Sequence, residues 1–155
     1  MKIKTSYSII ISIGFLWIGF VCAISFMESW LKFSAPGITM TLGLGIGKLV
    51  FHALNKVEWL FALIMIVCLL TSKHLMMNII SKIFLAPFCI LLLQTFYLLP
   101  ELDERSLLLI EEKQVAPSYL HLFYIIAEVV KVICLILLGT ITLKYNQYVT
   151  GQINA

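Results

Sequence analysis

Charged residues are spaced along this chain so that long apolar runs stand between short polar stretches. Ile9 to Met27 carries no Asp, Glu, Lys or Arg over 19 positions. At 1.5 Å per residue that run crosses a hydrocarbon core about 30 Å thick. Val21-Cys22-Ala23 resembles a small-residue cleavage site, but the apolar run continues past it, so the segment reads as an uncleaved span. Ile79 to Leu99 is broken only by Lys82 and Gln94 and is closed by Pro100. Tyr119 to Leu143 is a 25-residue run interrupted by Glu128 and Lys131.

A fourth apolar run is too short. Trp59 to Thr71 is uncharged over 13 residues, about 20 Å of helix, which cannot cross the core alone. Extension downstream draws in Lys73 and His74, whose side chains would snorkel to the headgroups. Extension upstream to about Lys48 puts Lys48, His52, Asn55 and Trp59 within about 60° of arc on one helical face, and this single polar stripe favours the upstream route. Before it, Gly37 to Gly47 holds Gly43, Gly45 and Gly47 in alternation. That stretch reads as an irregular, interfacial or re-entrant segment, tolerated where protein covers it. The expected fold is an all-α integral membrane bundle of four transmembrane helices. It forms one domain over residues 1–155, with spans at about 8–28, 49–72, 79–99 and 119–143.

Composition agrees with lipid as solvent: 61% of residues are hydrophobic and 12% charged, against about a quarter charged in soluble domains. Nucleic acid is not an implied partner, since a net charge of +3 fits lysines that hold topology. An inside amino terminus puts Lys2, Lys4, Lys73, Lys82 and Lys144 on the inner face, with no acid. Lys32, Lys48, Lys56, Arg105 and Lys113 then lie outside. The basic counts tie, and the orientation rests on Lys2 and Lys4 beside the first span and on seven of the eight acids lying opposite them. Cys22, Cys68, Cys89 and Cys134 each sit in an apolar run with no C-x-x-C pair, which disfavours a dithiol oxidoreductase.

Ionisable groups at membrane depth cost about 2.5–3.5 kcal/mol or more, which makes them candidate sites. His121, Tyr124, Glu128 and Lys131 fall within about 80° of arc on the fourth span. Glu128 and Lys131, three apart, are placed to neutralise each other. The Lys48–His52–Asn55 stripe, with Glu58, starts at the same outer interface, expected to face the fourth span with His121 and Tyr124 as partners for Asn55. Glu28 and Lys32 form an i,i+4 pair at that level, and Asp103 and Arg105 cap it from the acidic connection Glu101–Ser118, whose Leu107 to Ile110 suit a short helix dipping into the headgroups. The expectation is a polar pocket opening outward between helices, or equally a structural network of paired charges.

His52 and His121 are also candidate axial ligands for a b-type haem between facing helices. No metal-binding spacing of Cys and His occurs, and no metal is expected. TLGLGIGKLVFH is not a phosphate loop, because Leu49 follows Lys48 where Ser or Thr is needed and no strand precedes.

The run ESWLKFSAPGITMTLGLGIGKLVFHALNKVE, with LPELDERS and SYLHLFYIIAEVVK, resembles a family of small bacterial four-span membrane proteins described only as uncharacterised transmembrane proteins. These strings cover about a third of the chain. The resemblance implies a bacterial inner-membrane setting and no activity. It marks Glu28, Lys32, Lys48, Asn55, Glu58, Asp103, Arg105, His121, Glu128 and Lys131 as family-like polar positions.

The leading functional expectation is an accessory or binding protein with both termini in the cytoplasm. Its partners would be the bilayer and, in the outward pocket, a lipid headgroup, a small lipophilic ligand or a partner membrane helix; no cofactor is predicted. The alternative is a small membrane oxidoreductase or haem protein using His52 and His121. A third reading, an ion or proton pathway through Glu128 and Lys131, lacks a continuing relay in the inner halves of the spans.

Overall fold

The computed structural model describes residues 2–71, 79–111, 113 and 115–153. Lys73 and His74, the downstream option for the second span, lie outside the described residues. Four helices are long and apolar enough to cross a membrane: α1 (Thr5–Ser34), α2 (Met40–Thr71), α3 (Ile79–Ile110) and α4 (Leu120–Tyr148, running on to Ile153). No strand occurs among the described residues. The chain is an all-α integral membrane bundle of four spans.

Side-chain contacts set the directions. Phe20 and Gly14 of α1 meet Phe61 and Met65 of α2, and Phe15 of α1 meets Gly139 of α4. Asp103 of α3 meets His52 of α2, while Phe88, about four turns before Asp103, meets Trp59. Ascending numbers in one helix meet descending numbers in the next, so the helices run up, down, up, down. α1 and α3 each pack against both α2 and α4. The termini lie at one end of the bundle, and the α1–α2 and α3–α4 connections at the other.

Three expectations about boundaries are corrected. The second helix extends upstream beyond Lys48 and begins at Met40. The glycine-rich stretch lies inside it, and the irregular part shrinks to residues 35–39, where Gly37 adopts φ 81°. Helical glycines suit this place because two of them make room for neighbours: a Cβ on Gly43 would overlap the Phe33 ring, and one on Gly47 would stand 2.8 Å from Lys32 Nζ. The third span does not stop at Leu99. It continues through Pro100 to Ile110, so Asp103 and Arg105 stand on a helix rather than in a loop.

Pro100 is accommodated by a π-helical turn, Gln94–Leu98, in which the Leu99 N–H reaches back to the Gln94 carbonyl. Widening the ladder just ahead of a residue with no N–H lets the helix pass. A second π-helical stretch, Cys22–Glu28, interrupts α1, which then tightens into a 3-10 turn at Lys32–Ser34. Both irregularities border the site described below, as π-bulges often do.

The interior is layered along the bundle axis. One apolar cluster, with Tyr7, Ile10, Phe61, Met65, Phe84, Leu91, Leu135 and Leu138, fills the half nearer the termini. A smaller one, Leu98, Leu99 and Tyr124, lies towards the other end. On α3 and α4 Gln94, Glu128 and Lys131 fall between the two: Gln94 after Leu91, and Glu128 and Lys131 between Tyr124 and Leu135. Large apolar side chains such as Leu63, Leu70, Leu85, Phe96, Phe123 and Ile133 point outward, more than half exposed, as a lipid-facing surface requires.

Candidate functional site

The polar residues form two tiers. The deeper one is a fully buried ionic cluster near the middle of all four helices. Lys131 Nζ on α4 lies 2.5 Å from Glu58 Oε1 on α2 and 3.2 Å from Glu128 Oε2, one turn earlier on its own helix. All three side chains have no exposure. Trp17 Nε1 of α1 donates to the same Glu58 oxygen at 2.7 Å. Gln94 Nε2 of α3 donates to Glu128 Oε1 at 3.1 Å. Each helix therefore contributes one side chain or more, and the cluster ties the bundle in a single register.

A buried ion pair repays its desolvation only when further hydrogen bonds satisfy the charged atoms. Here the Trp17 indole and the Gln94 amide supply them. Trp and Tyr normally favour the membrane interface; Trp17, fully buried in mid-helix, has its N–H matched by a carboxylate instead.

The upper tier lies at the end of the bundle away from the termini. There a cavity of about 420 Å³ opens between the ends of the four helices. Its walls are largely apolar: Phe33, Met40, Leu44, Phe51, Leu99, Leu102, Leu109 and Leu120. Into it project Lys32, Lys48, Asp103, Arg105 and His121, with Ser29, Ser106 and Ser118. Tyr124 lines it as well, buried and stacked edge-on against Phe51 at 5.4 Å.

Charge in this tier is only partly compensated. Glu28 pairs with Lys32 at 3.3 Å, and the Lys32 ammonium also lies 5.5 Å and 5.6 Å from the Phe33 and Phe51 ring centres. Asp103 Oδ2 takes both His52 Nε2 at 2.5 Å and Lys48 Nζ at 3.8 Å. Arg105 donates to the Ala116 carbonyl and, among the described residues, has no carboxylate partner. Counting only lining residues, Lys32, Lys48 and Arg105 stand against Asp103.

Every polar position singled out from the sequence falls in or beside one of these tiers, but several partners differ. The Lys48–His52–Asn55–Trp59 stripe faces α3, not α4. Asn55 Nδ2 and Trp59 Nε1 both donate to the Thr95 hydroxyl, at 2.9 Å and 3.0 Å, and Thr95 in turn donates to the Leu91 carbonyl. Neither His121 nor Tyr124 supplies Asn55. Phe51 and Glu58, set to one side of the stripe on α2, are the residues that reach α4. Glu58 sits deep in the bundle, near the middle of α2, because α2 starts eight residues earlier than Lys48.

Sequence reasoning missed Trp17, Gln94 and Thr95. Their signal was a hydrogen-bonding side chain in mid-span, which in hydrocarbon demands a protein partner. His52 commits Nε2 to Asp103; among the described residues no three His, Cys, Asp or Glu side chains gather as a metal site would need. No family model, curated protein or solved structure matches this chain.

Proposed function

We propose that this chain is an accessory binding protein of the bacterial inner membrane that holds an amphiphilic molecule with an anionic headgroup in the cavity between its helix ends. The observation that carries this reading is the pairing of apolar walls with an excess of cationic groups in one cavity, Arg105 being the cation whose described partner is only a carbonyl. Guanidinium and ammonium groups recognise phosphate and carboxylate through charge-assisted hydrogen bonds. Phe33, Leu44, Phe51 and Leu102 offer a surface for the first methylenes of an apolar tail. The cavity lies at bilayer-headgroup level if α1, about 45 Å long, spans the membrane fully.

The bacterial setting rests on the resemblance of residues 28–58, 99–106 and 118–131 to small four-span bacterial proteins. Cytoplasmic termini rest on Lys2 and Lys4 preceding the first span, and they make the cavity outward-facing. Among the described residues the serines lining the cavity hydrogen-bond to backbone, Ser29 to the Ser25 carbonyl, Ser106 to the Leu102 carbonyl and Ser118 with the Leu120 N–H, which favours binding as the reading.

Native mass spectrometry of the protein released from nanodiscs tests this. Phosphatidylglycerol is expected to remain bound where phosphatidylcholine does not, and Arg105→Gln with Lys32→Gln should lower its retention by tenfold or more. Inorganic phosphate alone should not displace it, because the tail contributes. Equal retention of both lipids by wild type and variant contradicts the proposal; displacement by phosphate would make the ligand a soluble anion.

A further inference from the structure

We propose that the buried cluster of Glu58, Glu128 and Lys131 is a proton-binding site, in which the two carboxyl groups share one proton and exchange it towards the cavity through Tyr124.

Charge in the cluster does not balance when every group is ionised. Two carboxylates and one ammonium share a region with no exposure to solvent. The groups facing them are, on α1, Trp17; on α3, Gln94; and on α4, Tyr124, which lies within electrostatic reach of both Glu128 and Glu58. Trp17 and Gln94 carry no charge in any state. Fully ionised, the cluster would hold a net charge of −1 with no second cation among the described residues. An uncompensated charge in low dielectric neutralises by taking up a proton instead. One bound proton makes the cluster neutral.

Hydrogen bonding differs between the two carboxyl groups. Glu58 Oε1 receives two donors, the Lys131 ammonium at 2.5 Å and the Trp17 indole at 2.7 Å, the pattern that favours an ionised carboxylate. Glu128 receives one donor, Gln94, on Oε1. Its Oε2 stands 3.2 Å from Lys131, whose aligned hydrogen bond goes to Glu58, and it has no hydrogen-bond partner among the described residues. One proton on the pair leaves the Lys131 ammonium facing a single carboxylate charge.

Tyr124 connects the two tiers. It is one turn before Glu128 on the same face, its buried hydroxyl lies within hydrogen-bonding reach of the Glu128 carboxyl, and its side chain lines the cavity. Exchange needs no free ionised intermediate on the tyrosine. The Glu128 O–H proton passes to the Tyr124 oxygen as the phenolic proton leaves for water in the cavity, and the reverse reloads the site. The proton site does not depend on what the cavity binds.

Infrared spectroscopy of the protein in an ester-free maltoside detergent tests the proposal, reading the carbonyl stretch of protonated carboxylic acid at neutral pH in sodium-free buffer. Wild type should show a band equivalent to one carboxyl. Glu58→Gln and Glu128→Gln should each abolish it, because either leaves one carboxylate against Lys131. Both variants are charge-balanced and should fold, as circular dichroism would verify. Lys131→Met should double the band. Tyr124→Phe should keep the band, shift its frequency and slow its exchange in deuterium oxide at least tenfold, whereas Trp30→Phe, at an exposed position outside the cluster, should leave the exchange unchanged. Absence of the band in wild type, or its survival in either glutamine variant, overturns the proposal. Loss of the wild-type band on adding sodium chloride also overturns it, by showing that sodium balances the cluster.

Discussion

The Lys131 ammonium lies closer to Glu58, 73 positions away on another helix, than to Glu128 one turn before it on its own. A pair within one helix would only reduce the cost of burying charge. A pair between α2 and α4 also fixes their relative height, because a slip of one turn would separate the two charges by about 5 Å in a medium without water.

Removing one partner should therefore be worse than removing all. Lys131→Met is expected to lower unfolding free energy by about 3–5 kcal/mol, since the buried Glu58 carboxylate loses its cation and must be neutralised by a second proton. Adding Glu58→Gln and Glu128→Gln to it should recover most of that loss. Thermal unfolding in detergent of the single and triple variants measures both, and additive losses would mean that the three groups do not interact.

Trp17 should matter through its N–H as well as its bulk. Trp17→Phe keeps a large aromatic ring but strips a donor from a buried carboxylate, with an expected loss of about 1–3 kcal/mol. Glu58→Gln in the same background should make the effect smaller. Trp30, 60% exposed, should tolerate the same replacement with no measurable change in unfolding.

The facing of the α2 stripe is open to a chemical test. In a chain whose native cysteines are replaced, cysteines at Asn55 and Thr95 should crosslink in membranes, since these side chains are hydrogen-bonded at 2.9 Å. Cysteines at Asn55 and Tyr124 should not. The reverse result would turn α2 towards α4 and dissolve the proposed cavity wall.

The glycines of α2 should separate by position. Gly43→Ala meets the Phe33 ring and should cost about 1–3 kcal/mol, relieved by Phe33→Ala. Gly45→Ala has nothing within 4 Å and should be neutral or stabilise the helix by up to about 1 kcal/mol. Unfolding midpoints of the three variants give the comparison.

Span number and the identity of the polar positions were legible because hydrocarbon allows so few charges: Glu58, Glu128 and Lys131 could be found by their rarity alone. Their pairing was not legible. Helical periodicity places residues on a face, but which neighbour that face meets depends on rotation of the whole helix, and the Asn55 stripe met Thr95 on α3 instead of Tyr124 on α4. Helix ends were also hidden. Pro100 looks like a stop, yet the π turn at Gln94–Leu98 lets the helix run on and carries Asp103 and Arg105 to the cavity. The glycines at 43, 45 and 47 suggested broken backbone, whereas two of them serve close approach by Phe33 and Lys32.

The end of the bundle away from the termini is proposed to hold an anionic amphiphile between its helices. Photocrosslinking with a phosphatidylglycerol analogue carrying its reactive group near the headgroup, followed by peptide mass spectrometry, tests it most directly. Adducts are expected to concentrate on the cavity residues Phe33, Leu44, Phe51 and Leu102 and to fall sharply in Arg105→Gln. Adducts spread evenly over the outward-facing Leu63, Leu85 and Ile133, with the cavity residues unmarked, would contradict it.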